Sequence, residues 1–551
     1  MDSNTIMAVQ ETIAARNWQQ TGCFFAGVWL VYIVALVVWR LWFSPLAHIP
    51  GPKLAALTQY YEFYYDFVLG GQYNYKIIDM HERYGPIVRI NPWEVHVGDP
   101  EFFSDLYTSP SPSRRRDKWT FYTQQSGAPR TQVPHPNALA APKTATKGSL
   151  AAIDHGLNKL RRSALIPLYT TQTVRELQPV IEERVEALLT AFMNYAEVSN
   201  GQPLDTSSTN MLLLEVTILS KNPILVPKSP TTFSSAPTWD HACSNSIGCS
   251  LFVNALPESI SNRCMPGWGG FLKMKNDIFE QIHSVDPPQS TGKWRMVGGH
   301  PTMLSTRARS TREKNASRQA QESQISVQGG ALTTSWAMSL ATFHLLNRPE
   351  TLRKLRDELF AAMPDAYETV PLSRLEKLPY LRGVVKEALR LGIGTSSRLA
   401  RVAPDEALVY HDRENGEDWN LPPGSIVGMS PYKTVMDESI FYDARGFHPE
   451  RWVEDGERLD KYLDIFCSGS RICLGMALAH AELYLTLAKL FRRWGSGGVV
   501  FGSDDGDQRY GDVGYLSIFE TRVRDCEIDA DYFMPIPYKG SEGFRFSFET
   551  Y

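Results

Sequence analysis

The chain has 551 residues, 43% of them hydrophobic and 21% charged, with a formal net charge of -4. That balance excludes a disordered polar chain and carries no basic excess of the kind that draws proteins to nucleic acid. Its seven cysteines are odd in number and widely scattered, which excludes a disulfide scaffold and points to reduced thiols in a cytosol-facing body.

In chain order, the first feature is the run GCFFAGVWLVYIVALVVW from Gly22 to Trp39, eighteen residues without a charge. As a helix it spans about 27 Å, close to the thickness of a reticulum bilayer. No small-residue cleavage site follows, so the segment reads as an uncleaved anchor rather than a signal peptide. Asp2, Glu11 and Arg16 precede it and Arg40 and Lys53 follow it, so the positive-inside rule places the C-terminal bulk in the cytosol. The expected organisation is a luminal segment at 1–21, a transmembrane anchor at 22–43, a proline-rich hinge at 44–55 and one catalytic domain at 56–551. Pro45, Pro50, Gly51 and Pro52 forbid helix continuation through the hinge.

Within the body, helical periodicity dominates the second half, over Gln321–Leu346, Glu350–Ala362, Leu381–Leu391 and Leu474–Trp494. PIVRINPWEVHVG near residue 86 and GFRFSFE near the C-terminus read as strands, so the expected class is mainly α with small β-sheets. Residues 126–150 and 293–318 read as long loops, the second carrying seven Lys or Arg and one acid, Glu313. Residues 221–250 and 300–320 are irregular. Cys243, Cys249 and Cys264 lack metal-ligand spacing and read as packing residues.

The stretch FCSGSRICLG, residues 466–475, carries the chemistry, because a helix-forming run, MALAHAELYLTLAKLFRRW, follows it directly. Cys473 therefore stands at a helix N-terminus, where the macrodipole and free N–H groups favour a thiolate able to ligate haem iron. Gly469 and Gly475 let the backbone turn tightly against a flat macrocycle, Arg471 can reach a propionate, and Phe466 can screen the sulfur. A buried structural cysteine is the plain alternative for Cys473 alone; the joint spacing of Phe, Gly, Arg, Cys and Gly favours haem ligation.

This stretch resembles the cytochrome P450 haem-binding signature F-x-x-G-x-R-x-C-x-G at every fixed position. The resemblance continues upstream in KEALR, with Glu387 and Arg390 at the family's E-x-x-R, and in FHPERW, residues 447–452. It implies the cytochrome P450 fold behind one transmembrane helix, with Glu387, Arg390 and Arg451 in a buried ionic cluster. QISVQGGALTTSWAM resembles the family's distal helix: Gly329, Gly330, Thr333 and Thr334 match, while Leu332 takes the acidic position. Thr333 and Thr334 are thereby the expected catalytic pair, and their hydroxyls with ordered water are expected to replace the missing acid in moving protons. Arg162 resembles a propionate-contacting arginine, with Asn158 where His or Trp is usual; of Arg398 and Arg401, the resemblance favours Arg401 as another.

The resemblance further implies haem b as cofactor and insertion of one oxygen atom from O2 into an apolar small molecule, with electrons from NADPH. No G-x-G-x-x-G follows a strand, and GSGG near residue 495 reads as a turn at a helix end, so the chain has no nucleotide site of its own. Electrons must come from a partner, expected to be a membrane-bound NADPH-cytochrome P450 reductase, with Lys489, Arg492 and Arg493 as candidate contacts or else a solvated helix end. The wording around the cysteine resembles filamentous-fungal members of secondary metabolism, which implies terpenoid or polyketide substrates and residence in the endoplasmic reticulum membrane. A haem-thiolate isomerase, dehydratase or peroxide-driven catalyst would suit Leu332, and a degenerate non-catalytic member is the third reading.

Overall fold

The computed structural model describes residues 3–108, 114–119, 148–150, 152–199, 316–496 and 509–551, with short strands at 204–205, 296–297 and 300–301. Helix Ser3–Val38 runs without interruption into a π-helical turn, Trp39–Phe43. Its part Thr21–Phe43 is long and apolar enough to cross a bilayer, with mean hydropathy 2.3 and no buried share. The proline-rich segment that follows is fastened to the body. Arg89 donates its backbone N–H to the Pro50 carbonyl at 2.7 Å, and its guanidinium donates to the Arg40 carbonyl at 2.8 Å. Arg40 in turn donates to the Leu57 carbonyl of the short helix Lys53–Leu57.

The four helices expected in the second half form at Ala316–Asn347, Pro349–Ala362, Pro379–Gly392 and Met476–Arg493. Their apolar faces meet in one core, where Leu340, Ala341 and Phe343 of the first pack with Val384 and Ala388 of the third and Leu483 and Leu487 of the fourth. Pro349 and Pro379 occupy first-turn positions, where a missing N–H costs nothing. The architecture is mainly α with small sheets, as composition and periodicity imply.

PIVRINPWEVHVG folds as the hairpin Ile87–Arg89 and Glu94–Val97, paired antiparallel with Ile87 opposite Val97. Ile426–Gly428 joins it in parallel, and Arg401–Val402 and Asp117–Lys118 complete the five-stranded sheet. At the other end, Trp494–Ser496, Gly514–Ile518, Arg545–Thr550 and Leu204–Asp205 form a second sheet. Gly495, expected in a turn, is therefore in a strand, because Trp494–Ser496 pairs in parallel with Gly514–Leu516. Residues 126–147 and most of 293–315 lie outside the described residues, as do residues 221–250 and Cys243, Cys249 and Cys264. Residues 316–320, expected to be irregular, open the long helix.

The first sheet is fastened to the segment after the anchor by a buried polar cluster. Arg398 donates to Glu94 at 2.9 Å and also to Glu62, while Asn91 donates to Glu62 at 3.1 Å and to Glu94 at 2.9 Å. Burial lifts the Glu94 carboxyl to about 7, against the pull of Arg398. A carboxyl raised above its unfolded value of 4.5 stabilises the fold while protonated, so its contribution is complete below 4.5 and is lost as pH rises through about 7. Glu94→Gln, neutral at every pH, is expected to flatten the dependence of the urea midpoint on pH across that window; an unaltered slope would contradict this origin.

Candidate active site

Cys473 lies between a 3-10 turn, Gly469–Arg471, and the helix Met476–Arg493, whose N-cap is Gly475. The helix begins two residues later than its periodicity suggests, because Gly475 supplies the cap. The loop is held from within by the Cys473 N–H donating to the Phe466 carbonyl at 2.8 Å. Gly469 is required on two counts: its φ is +69°, and a Cβ there would collide with the carbonyl oxygens of Tyr107 and Thr108. Gly475 meets neither condition and faces open space. The Phe466 ring packs against His480, with centroids 5.2 Å apart, one helical turn beyond the cap.

Part of the Cys473 surface is solvent-accessible, yet the sulfur sits among enough protein that burial pushes its thiol pKa up. Three groups act in the opposite sense: the backbone amides of Gly475 and Met476 at the mouth of the helix and the guanidinium of Arg162. These are the donors that a sulfur anion requires.

Four cations collect beside this loop. Arg162 donates to the Ile472 carbonyl at 2.6 Å. Arg471 is buried and gives its two terminal nitrogens to the Ala152 and Ile153 carbonyls at 2.8 and 2.6 Å, with no partner for Nε among the described residues. Arg401 donates to the Leu399 carbonyl at 3.1 Å and lies 5.1 Å from the centre of the Tyr107 ring. The fourth, Lys118, pairs with Arg401 across the strand ladder and donates to the Leu150 carbonyl at 2.8 Å. Burial, then Arg401, hold Arg471 down to about 9. Burial, then Arg471 and Arg401, hold Lys118 well below the usual ammonium range. Asp117 and Asp154 are close, but Arg115 binds both, at 2.8 and 2.9 Å. Like charges opposed across a ladder repel, so this cluster fits a bound dianion such as the two propionates of a porphyrin.

Arg162, Arg401 and Arg471 are singled out by the sequence, whereas Lys118 is not. Arg398 is engaged by Glu62 and Glu94, whereas Arg401 reaches Cys467 of the cysteine loop at 3.6 Å. Asn158 has a structural use: its amide donates to the Ser149 carbonyl at 2.9 Å, while Ser149 donates through N–H and hydroxyl to Glu322 of the long helix at 2.6 and 2.8 Å.

On that helix, Gly329 and Gly330 are exposed, and among the described residues nothing lies within 4 Å of where a Cβ would stand at either. The Thr333 hydroxyl donates back to the Gly329 carbonyl at 2.7 Å. Thr334 is buried on another face, where its hydroxyl meets the Glu482 carboxyl without a well-aligned hydrogen bond. Burial raises Glu482 well above the usual carboxylate range. The two threonines thus point to different surroundings, and Glu482 is a second residue that helical periodicity alone hides.

Glu387 and Arg390 are fully buried. Arg390 binds Glu387 through Nε and Nη2 at 3.0 and 2.7 Å and spends its remaining donors on the carbonyls of Val435, Ala444 and Gly446. Arg451 approaches Glu387 to 3.2 Å, and Glu387 also accepts from the His448 N–H at 2.9 Å and the Trp452 indole at 2.7 Å. Burial alone would raise Glu387, but Arg390 and Arg451 outweigh it and hold it below the usual range.

Lys489, Arg492 and Arg493, expected as contacts for an electron-donating partner or as a solvated helix end, are neither. All three are buried. Lys489 and Arg493 bind Glu186 at 2.8 and 2.6 Å, and Arg492 binds the Met363 and Pro364 carbonyls at 2.7 and 2.8 Å.

A family-wide sequence pattern described as Cytochrome P450 matches residues 304–495. The cytochrome P450 monooxygenase tpcC of Cochliobolus heterostrophus is 35% identical over 527 residues, covering 94% of this chain and 95% of its own. The chain belongs to the cytochrome P450 family. Two further fungal P450 monooxygenases, astB of Talaromyces wortmannii and MO6277 of Ascocoryne sarcoides, are 35% and 34% identical, over 94% and 95% of this chain and 95% and 98% of theirs. This P450 is accordingly an oxygen-incorporating oxidoreductase of the haem-thiolate class, similar to monooxygenases of fungal secondary metabolism.

Removing one side of the Glu387 cluster leaves an uncompensated buried charge. Glu387→Ala is expected to lower unfolding free energy by about 3–5 kcal/mol, whereas Trp452→Phe, which removes one hydrogen bond, should cost about 1 kcal/mol. Denaturant titration separates the two, and equal losses would show that the indole bears as much as the arginines.

Proposed function

We propose that this P450 oxidises an apolar small molecule, of terpenoid or polyketide type, with Cys473 as the axial thiolate of haem b and electrons from an NADPH-cytochrome P450 reductase. The observation that carries the reading is Cys473 at the mouth of the helix Met476–Arg493, in a loop closed by its own N–H on the Phe466 carbonyl and by Arg162 on the Ile472 carbonyl. Arg162, Arg401 and Arg471 would hold the propionates, and Phe466, Gly469 and Gly475 would shape the loop around the sulfur. When bound, the haem supplies activation of O2 and insertion of one of its atoms into the substrate, the other leaving as water. The helix Thr21–Phe43 would fix the protein in the endoplasmic reticulum membrane with its body in the cytosol, and residues 1–21 on the luminal side.

The chain's own part in proton handling falls to Thr333 and Thr334, since Leu332 can neither hold nor release a proton. The Thr333 hydroxyl, satisfied as a donor by Gly329, keeps its oxygen lone pairs for a proton donated by water. Thr334 faces the buried Glu482 carboxyl, which burial raises well above the usual carboxylate range.

Cys473→Ser is expected to abolish the long-wavelength Soret band of the reduced, carbon monoxide-bound protein; retention of that band with full turnover would overturn the assignment. Leu332→Glu is expected to leave product formed per NADPH unchanged, while Thr333→Ala lowers it. A clear rise in coupling with Leu332→Glu would show instead that the missing acid limits proton supply.

A further inference from the structure

The loop that carries Cys473 holds a second thiol. Cys467 follows Phe466 directly, and its backbone turns through φ +58°, a region that residues with a Cβ rarely enter. Its N–H donates to the Asp464 carbonyl at 2.9 Å, and its sulfur accepts from the Arg401 guanidinium at 3.6 Å. These two links hold the thiol in place in spite of the strained backbone.

The spacing of the two cysteines follows from one hydrogen bond. The Phe466 carbonyl oxygen lies about 2.8 Å from the Cys467 Cα, as in any trans peptide. The same oxygen accepts the Cys473 N–H at 2.8 Å, which sets it about 4 Å from the Cys473 Cα. The two Cα atoms are therefore less than about 7 Å apart, at the roughly 4.4–6.8 Å span that a disulfide bridges. The two sulfurs also share a neighbour. Burial lowers the Arg162 guanidinium, and Cys473 and Cys467 both oppose that shift. Neither sulfur is sealed off, since Cys473 is exposed and Cys467 is half-buried. Of the other free cysteines among the described residues, Cys526 is buried and Cys23 lies in the apolar span Thr21–Phe43.

We propose that Cys467 and Cys473 join in a disulfide when the chain carries no haem, which makes Cys467 a redox gate on cofactor loading. The inference rests on Cys473 being the axial ligand: a sulfur bonded to Cys467 has no thiolate to offer iron, and a sulfur on iron is withheld from Cys467. With hydrogen peroxide as the oxidant, the Cys467 sulfur attacks the O–O bond, one water leaves and a sulfenic acid remains. The Cys473 sulfur then displaces a second water as the S–S bond closes. Both thiol protons depart in the two waters, and two electrons pass to the peroxide. A dithiol reductant reverses the step.

The test uses the full chain prepared in haem-replete and haem-limited forms. Each is treated with hydrogen peroxide, its remaining thiols are capped with N-ethylmaleimide, and its tryptic peptides are weighed by mass spectrometry. Trypsin cuts after Lys461, Arg471 and Lys489, so the two cysteines fall on separate peptides, 462–471 and 472–489, which stay joined only through a disulfide. The joined pair is expected from the haem-limited chain, is lost with dithiothreitol or in Cys467→Ser, and persists in Cys526→Ser. Haem uptake by the peroxide-treated chain, followed by its Soret band, should fall severalfold and return with dithiothreitol, while Cys467→Ser takes up haem equally with and without peroxide. Both peptides capped and unjoined in the haem-limited chain would overturn the proposal, as would Cys473 paired just as often with Cys23 or Cys526. Joined peptides in equal yield from the haem-replete chain would leave the disulfide standing and overturn Cys473 as the iron ligand.

Discussion

The carboxylate of Glu387 is the fixed point from which the rest of the site is hung. It is removed from water, and it is affordable there because two guanidiniums, an indole and a backbone amide all aim at it. Arg390 spends its other donors on three carbonyls of the segment 435–446, so a single helix, Pro379–Gly392, fastens the irregular chain that leads to the cysteine loop. Between Met436 and Pro449 that chain contains no helix or strand. Its shape is imposed by buried polar bonds, which tolerate far less displacement than apolar contacts do.

The same logic runs in reverse at the loop itself. There the structure collects Arg162, Arg401, Arg471 and Lys118 and gives them carbonyl oxygens, while Arg115 takes the neighbouring carboxylates. Carbonyls satisfy hydrogen bonds without neutralising charge. Such a cluster gains stability when an anion arrives, and binding of the cofactor and consolidation of the fold are thereby linked.

Much of this was legible in residue order. The four main helices follow from apolar periodicity, the cysteine loop from the spacing of Phe466, Gly469, Arg471, Cys473 and Gly475, and the ionic cluster from Glu387, Arg390 and Arg451. What escaped depended on burial, which a linear pattern does not encode. Lys118 is not singled out by the sequence, and strand pairing sets it opposite Arg401. Lys489, Arg492 and Arg493 look like an exposed helix end, but Glu186 and the chain around Met363 close over them. Glu482 is a lone acid in a mostly apolar helix, and Arg89, the partner of the proline-rich segment, is many residues away from it in the chain.

Ser149 shows how such hidden bonds shape motion. It is gripped from one side by Asn158 and from the other by Glu322, so the chain entering helix His155–Leu165 is cross-braced to the long helix that carries Thr333. Separating the two would strip a buried carboxylate of both its Ser149 donors at once. Excursions here are therefore governed by a threshold, rare and cooperative like the release of a latch, and not by the continuous drift of a solvated loop.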